Sequence, residues 1–332
     1  MTPSRRDAAL LVTHSGDHFT IDRVAAAVER RGLEAFRLDT DLYPTAATIT
    51  LHDARGAAAD RVETGAGSLD LARVRAVWMR RVWAPRLPDD ADPGYRDACV
   101  KQIAAGMSAF LGVMRRARFV NDPAEERRAS NKVLELRIAA EAGLETPRTI
   151  VTNDPERVRA AFREWKGAMV AKLLAPISVG MGPPDRAVYT NPVSEGDLAD
   201  LESLALGPMI FQERVEKDRE FRAVVVGRRV FAGSIDAART TASGSVDWKR
   251  ADASECAWKK ESLPADVERR LVDLVGRLRL AFGAADLIRT PDGRHVFLEV
   301  NPAGEWGMLE RDLGLPISEA IADELCSGKD PE

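Results

Sequence analysis

Near the end of the chain, Ala285-Asp286-Leu287-Ile288-Arg289-Thr290-Pro291-Asp292-Gly293-Arg294-His295-Val296-Phe297-Leu298-Glu299-Val300-Asn301-Pro302 reads as one β-hairpin. The segment from Arg289 to Arg294 carries Pro and Gly and marks the turn, and the apolar flanks predict two strands. Glu299 follows Asp286 by thirteen residues, so on adjacent strands their carboxylates stand side by side. Asn301, two residues beyond Glu299, shares that face because strand side chains alternate. Two carboxylates and an amide oxygen make a hard, oxygen-only set. It suits Mg²⁺, which keeps several waters and completes its octahedron with nucleotide phosphates. The plainer alternative is a solvated hairpin, against which the run Val296-Phe297-Leu298 argues for burial.

Composition narrows the class. At 332 residues the chain calls for two or three domains rather than one small core. With 48 Lys+Arg against 52 Asp+Glu, a net of −4, there is no global electrostatic case for nucleic acid or an anionic membrane as partner. Cys99, Cys256 and Cys326 are odd in number and far apart, which excludes a disulfide framework or a zinc pattern. Four histidines make a transition-metal site a poor fit as well. The apolar run 8–12 is too short for a signal segment or a membrane span, so the expected location is cytoplasmic.

Along the chain, the apolar run 8–13 predicts a strand, 19–31 a helix closed by Gly32, and 34–38 and 76–79 further strands. Strand, helix, strand in this order predicts a small α/β domain with a parallel sheet. A long helix follows at 94–113, and Asn121-Asp122-Pro123 breaks the pattern. Beyond it lie an amphipathic helix at 131–142, a strand at 149–152, a helix start at Asp154-Pro155 and a strand at 168–174. Gly207-Pro208 marks a second break, followed by strands at 209–212, 221–226 and 230–235 and a helix at 264–280. The expected domains are therefore 1–122, 123–206 and 207–332.

Several residues carry the chemistry. Lys172 stands inside the apolar strand 168–174, where a buried cation needs an anion such as a nucleotide phosphate, unless it snorkels from a strand end. The following loop, 175–184, is rich in small residues that could cradle phosphate, or is a plain surface loop. Gln212-Glu213-Arg214-Val215 ends a buried strand, and such an exit accommodates an adenine edge. Glu220, seven residues after Glu213, is placed for a ribose hydroxyl pair. Arg222, on the same face, can bind a carboxylate or phosphoryl group bidentately. The alternative is an exposed charged strand start. Asp247-Trp248-Lys249-Arg250 reads as a lid over phosphates, a contact for an anionic substrate, or a solvated basic loop. Trp78-Met79-Arg80-Arg81-Val82-Trp83 reads as a partner surface or a strand edge.

In succession, a lysine helix, a strand lysine, a small-residue loop, a Gln-Glu strand exit, a glutamate, a basic loop and Asp…Glu-x-Asn resemble the ATP-grasp ligases from about residue 121 onward. The resemblance implies an α/β (in part α+β) ATP-grasp fold behind an N-terminal pre-ATP-grasp domain. It puts Lys132 and Lys172 at the phosphates of ATP, Glu213 to Glu216 at the adenine, Glu220 at the ribose, and Asp286, Glu299 and Asn301 on Mg²⁺. Where many relatives carry an Arg two residues before the metal-binding Asp, this chain has Ala284, which shifts phosphate stabilisation to Arg222, Lys249 or Arg250.

Thr13-His14-Ser15-Gly16-Asp17, Val77-Trp78-Met79-Arg80-Arg81, Thr152-Asn153-Asp154-Pro155 and Lys217-Asp218-Arg219-Glu220-Phe221-Arg222, with the 247–250 segment, narrow this further. They are similar to the graspetide maturases of the microviridin type. The resemblance implies phosphorylation of Asp or Glu side chains of a precursor peptide, then displacement of phosphate by a Ser/Thr hydroxyl or Lys amine. The partners would be a peptide with a leader and an acidic core and, in a homodimer, a second copy of the chain. The rivals are a small-molecule ligase of the same fold and a nucleotide-binding scaffold without catalysis.

Overall fold

The computed structural model describes residues 6–53, 59–174, 190–236 and 257–327. β1 (Ala8–Thr13) is buried along its whole length, as a central parallel strand must be. It leads through α1 (Phe19–Glu29) to β2 (Glu34–Asp39), which pairs with it in parallel. A small antiparallel sheet of β3 (Ala47–Thr50), β4 (Arg61–Thr64) and β5 (Gly67–Asp70) intervenes. β6 (Val74–Met79) then pairs with the other side of β1, α2 (Arg96–Val113) follows, and β7 (Arg118–Val120) closes the order β2-β1-β6-β7. Alternation on β1 sends Ala9 and Leu11 to α1, and Ala8, Leu10 and Val12 to Met107 and Phe110 of α2.

Two helices follow, α3 (Pro123–Ala129) and α4 (Lys132–Glu141). Asp122 caps the first through the amide of Ala124 at 2.8 Å, with Pro123 at the first turn. Asn131 caps the second through Val133 N at 3.2 Å and Leu134 N at 3.1 Å, which makes Lys132 its first residue. The central sheet has the order β10-β9-β11-β8, from β8 (Thr149–Thr152), β9 (Met169–Lys172), β10 (Asn191–Pro192) and β11 (Met209–Glu213). α5 (Pro155–Glu164) covers one face, where Val158 and Phe162 meet Met169 and Phe211. Since β11 lies between β8 and β9, the chain stays in the central sheet past residue 207. We therefore place the second domain junction in the 214–218 connection.

The C-terminal sheet runs β14-β13-β12-β15-β16. It comprises β12 (Arg219–Val226), β13 (Arg229–Asp236), β14 (Lys259–Lys260), β15 (Phe282–Arg289) and β16 (His295–Asn301). α6 (Ala265–Arg277) precedes β15, and α7 (Gly307–Leu313) and α8 (Ile317–Cys326) end the described chain. One sheet face, with Phe221, Ala223, Val225, Leu287, Phe297 and Val300, packs on α4 and α6. The opposite face is apolar at one end, where Val224, Val226, Phe282 and Ala284 join α1, α7 and α8 in a single core. Its other end is polar, and that end holds the site. Among the described residues no helix is long and apolar enough to cross a membrane.

Candidate active site

On the polar end, three neighbouring strands bring the charged residues into line. Asp286 of β15 lies directly opposite Glu299 of β16 on one side and Arg222 of β12 on the other. Arg222 Nε stands 3.0 Å from Asp286 Oδ1, and both side chains are buried. Asn301 lies opposite Ala284 at the exposed end of β16, and Glu220 lies two residues before Arg222 on β12. The three oxygen donors predicted from the hairpin therefore share one face.

From the β16 side, α4 delivers Lys132. Its Nζ lies 2.8 Å from Glu299 Oε2 and 3.1 Å from Glu135 Oε2, one turn along the helix. Burial opposes the charge on Lys132, but Glu299 and Glu135 outweigh it and raise the ammonium pKa. Glu135 is itself fully buried, and burial pushes its carboxyl up to about 7 against the pull of Lys132. Its Oε1 accepts a hydrogen bond from the Val300 amide, which ties α4 to β16 between Glu299 and Asn301. Glu135 thus joins Lys132 to β16, a contact that the sequence alone does not display. The available signal was an acidic side chain three residues after Lys132 on a helix with apolar neighbours.

The central sheet holds the other candidate residues. Lys172 is the last residue of β9, and its Nζ donates to Gln212 Oε1 at 2.8 Å. Gln212 in turn donates to Thr149 Oγ1 at 3.0 Å, so the lysine is held by an amide relay across three strands. Gln212 is buried, whereas Glu213 at the strand exit forms a two-pronged pair with Arg148 at 2.9 Å for both contacts. Arg148 holds the Glu213 carboxyl below the usual range, with burial opposing. Glu213, Arg214, Val215 and Glu216 line a cavity of about 410 Å³ with Pro147 and Pro291. Glu220 is buried beside Lys217, whose Nζ donates to Glu220 Oε1 at 2.7 Å. The sequence reading offered Glu220 to a ribose without this lysine. Lys249 and Arg250, and the whole of the small-residue loop 175–184, lie outside the described residues.

With this geometry in view, comparisons with known proteins decide the family. Residues 8–127 match the family described as the MvdD pre-ATP grasp domain. Macrocyclase MdnB from Microcystis aeruginosa is 42% identical, with a TM-score of 0.80 over 96% of this chain and 99% of that one. Macrocyclase MdnC from the same organism, solved with precursor peptide MdnA, is 33% identical at a TM-score of 0.85, over 96% and 99%. A RiPP-associated ATP-grasp ligase from Chryseobacterium gregarium, solved with ADP and a leader and core peptide, is 30% identical at 0.88, over 97% of each chain. This chain belongs to the ATP-grasp ligases of graspetide maturation. No curated protein sequence matches it.

An ATP-grasp ligase of this kind is ATP-dependent, and the residues present fit a nucleotide with a hard divalent ion. Asp286 and Glu299 already attract cationic groups in this structure, Arg222 and Lys132, from opposite sides. A cation between the two carboxylates would compete with Lys132 for Glu299.

Proposed function

We propose that this ligase closes rings in a ribosomally made precursor peptide. In this reading it activates Asp or Glu side chains as acyl phosphates and joins them to Ser/Thr hydroxyls or Lys amines. The observation that carries it is the face on which Lys132, Glu299, Asp286 and Arg222 stand in line, cation, two anions, cation. That order suits transfer of a phosphoryl group between two negatively charged reactants, where charge neutralisation and alignment are the main requirements. The peptide substrate is supported by the likeness to macrocyclases over almost the whole chain.

Lys132 and Lys172 would hold the phosphates of ATP, the 213–216 strand exit the adenine, and Glu220 the ribose. Mg²⁺ held by Asp286, Glu299 and Asn301 would screen the phosphate charge. Arg222, buried beside Asp286, would hold the carboxylate oxygens as the phosphoryl group arrives. The attacking hydroxyl or amine then displaces phosphate, which leaves with the bonding electrons of the C–O bond while the nucleophile loses its proton. The acyl phosphate has to be kept from water, and Lys249 and Arg250 belong to the segment we assign to that role. The partner would be a peptide with a leader and an acidic core. A docked leader would raise the local core concentration to roughly millimolar, and residues 216–219 beside the cleft are our choice of docking surface.

The test is to incubate the chain with ATP, Mg²⁺ and a precursor peptide encoded beside its gene. Mass spectrometry should show loss of one water per ring, with ADP formed in equal number. ADP formation that depends on a free amino acid and not on the peptide would overturn the peptide reading.

A further inference from the structure

The N-terminal sheet reaches the site through the turn after β16. Arg80, just past β6, is buried, and its Nη1 donates to the carbonyl oxygens of Ala303 at 3.1 Å and Gly304 at 3.4 Å. Its Nη2 donates to Glu305 Oε2 at 2.5 Å, and its Nε to Thr20 Oγ1 at 3.1 Å. Arg80 is thus a strut between the first domain and the chain leaving Asn301. On the other side of that turn, a Cβ at Gly304 would sit 3.2 Å from Arg222 Nη1 and 2.5 Å from the Cβ of Ala284. Only glycine lets the turn approach this closely. The 303–305 turn thus joins Arg80, just past β6, to the neighbourhood of Arg222.

The next residue, Arg81, is held far more loosely. Its Nη1 lies 3.8 Å from Glu305 Oε2, an oxygen that Arg80 engages at 2.5 Å, and its side chain is 42% exposed. Burial, then Arg80, and also Arg222 lower its pKa, with Glu305 and Asp17 opposing. Arg81 and Arg222 thus both reach the 304–305 turn, one at the Glu305 carboxylate and the other beside Gly304. Open parallel sheets take ligands at the carboxyl ends of their strands, and Arg81 follows the carboxyl end of β6. Two residues on, Trp83 is 45% exposed and stacks on His14, with ring centroids 3.7 Å apart.

We propose that Arg81, with Arg222 across the Gly304 turn, seats the acidic side chain of the incoming peptide, and that Trp83 is the flat surface on which that peptide lies. This makes the first domain a part of substrate selection. It rests on the peptide-ligase reading above, but its test does not need ring formation.

The ADP- and Mg²⁺-loaded enzyme is titrated with a fluorescein-labelled peptide carrying several Glu and Asp residues, and with its Gln/Asn counterpart, read by fluorescence anisotropy. Wild type should prefer the acidic peptide. Arg81→Ala should weaken acidic-peptide binding by about tenfold, the size of one charge-assisted contact, with ADP affinity unchanged, and Arg81→Lys should retain part of the preference. Acidic-peptide affinity unchanged in Arg81→Ala, no preference in wild type, or an equal loss of ADP affinity would each overturn the proposal. Ring formation, followed separately by mass spectrometry, shows whether the catalytic reading itself stands.

Discussion

Asp286 and Glu299 face each other across β15 and β16 because a bulge falls between that pair and the next. Nearer the turn, Leu287 pairs with Phe297 and Arg289 with His295, a register that would set Leu298 against Asp286. Leu298 is skipped instead, and from Glu299 onward the ladder is shifted by one residue. A one-residue slip exchanges the two faces of a strand. The bulge therefore lets Phe297 and Val300 both enter the core while Glu299 joins Asp286 on the polar face.

Replacing Glu299 by Gln keeps the volume and removes one charge from that pair. Turnover should fall by more than ~100-fold, with a circular dichroism spectrum unchanged from wild type. Near-normal ADP formation in the variant would remove Glu299 from the metal site.

Lys172 and Gln212 form a relay, so their substitutions should differ in size. Lys172→Ala should weaken ATP binding by roughly 1.5–3 kcal/mol, measured by calorimetry. Gln212→Ala should cost less, because it loosens the lysine without removing it. If both left affinity intact, the relay would be structural.

Asn121 locks β15 to the first domain. Its side chain accepts from the amides of Ala281 at 2.8 Å and Phe282 at 2.9 Å, and donates at 2.9 Å to the carbonyls of Phe282 and Pro302. Asn121→Ala leaves buried polar groups unpaired and should cost roughly 3 kcal/mol, seen as a lower urea midpoint. A midpoint within error of wild type would show that water replaces the amide.

Burial alone pushes Glu126 up to about 7 from an ordinary 4.5. The folded state then binds more protons than the unfolded one between these values, so stability falls as pH rises from 4.5 through about 7 and is level above it. At about 1.4 kcal/mol per unit the span is roughly 3–4 kcal/mol at most. Urea melts of Glu126→Gln should lack this fall. An identical pH slope in variant and wild type would contradict it.

The hairpin ends, the capped start of α4 at Asn131, the parallel first sheet and the strand exit at Gln212 were all legible from residue order, because caps, turns and alternation are local. The sequence offers the chemical groups of the candidate site: Asp286, Glu299, Asn301, Lys132, Lys172 and Arg222. What pairs with what was decided by tertiary structure. The bulge at Leu298, the Glu135 bond to the Val300 amide, and the Arg80 strut to the 303–305 turn join residues that periodicity treats as unrelated. A buried charge takes whichever partner packing brings near it, and contacts across 165 or 223 residues leave no spacing for a sequence to display.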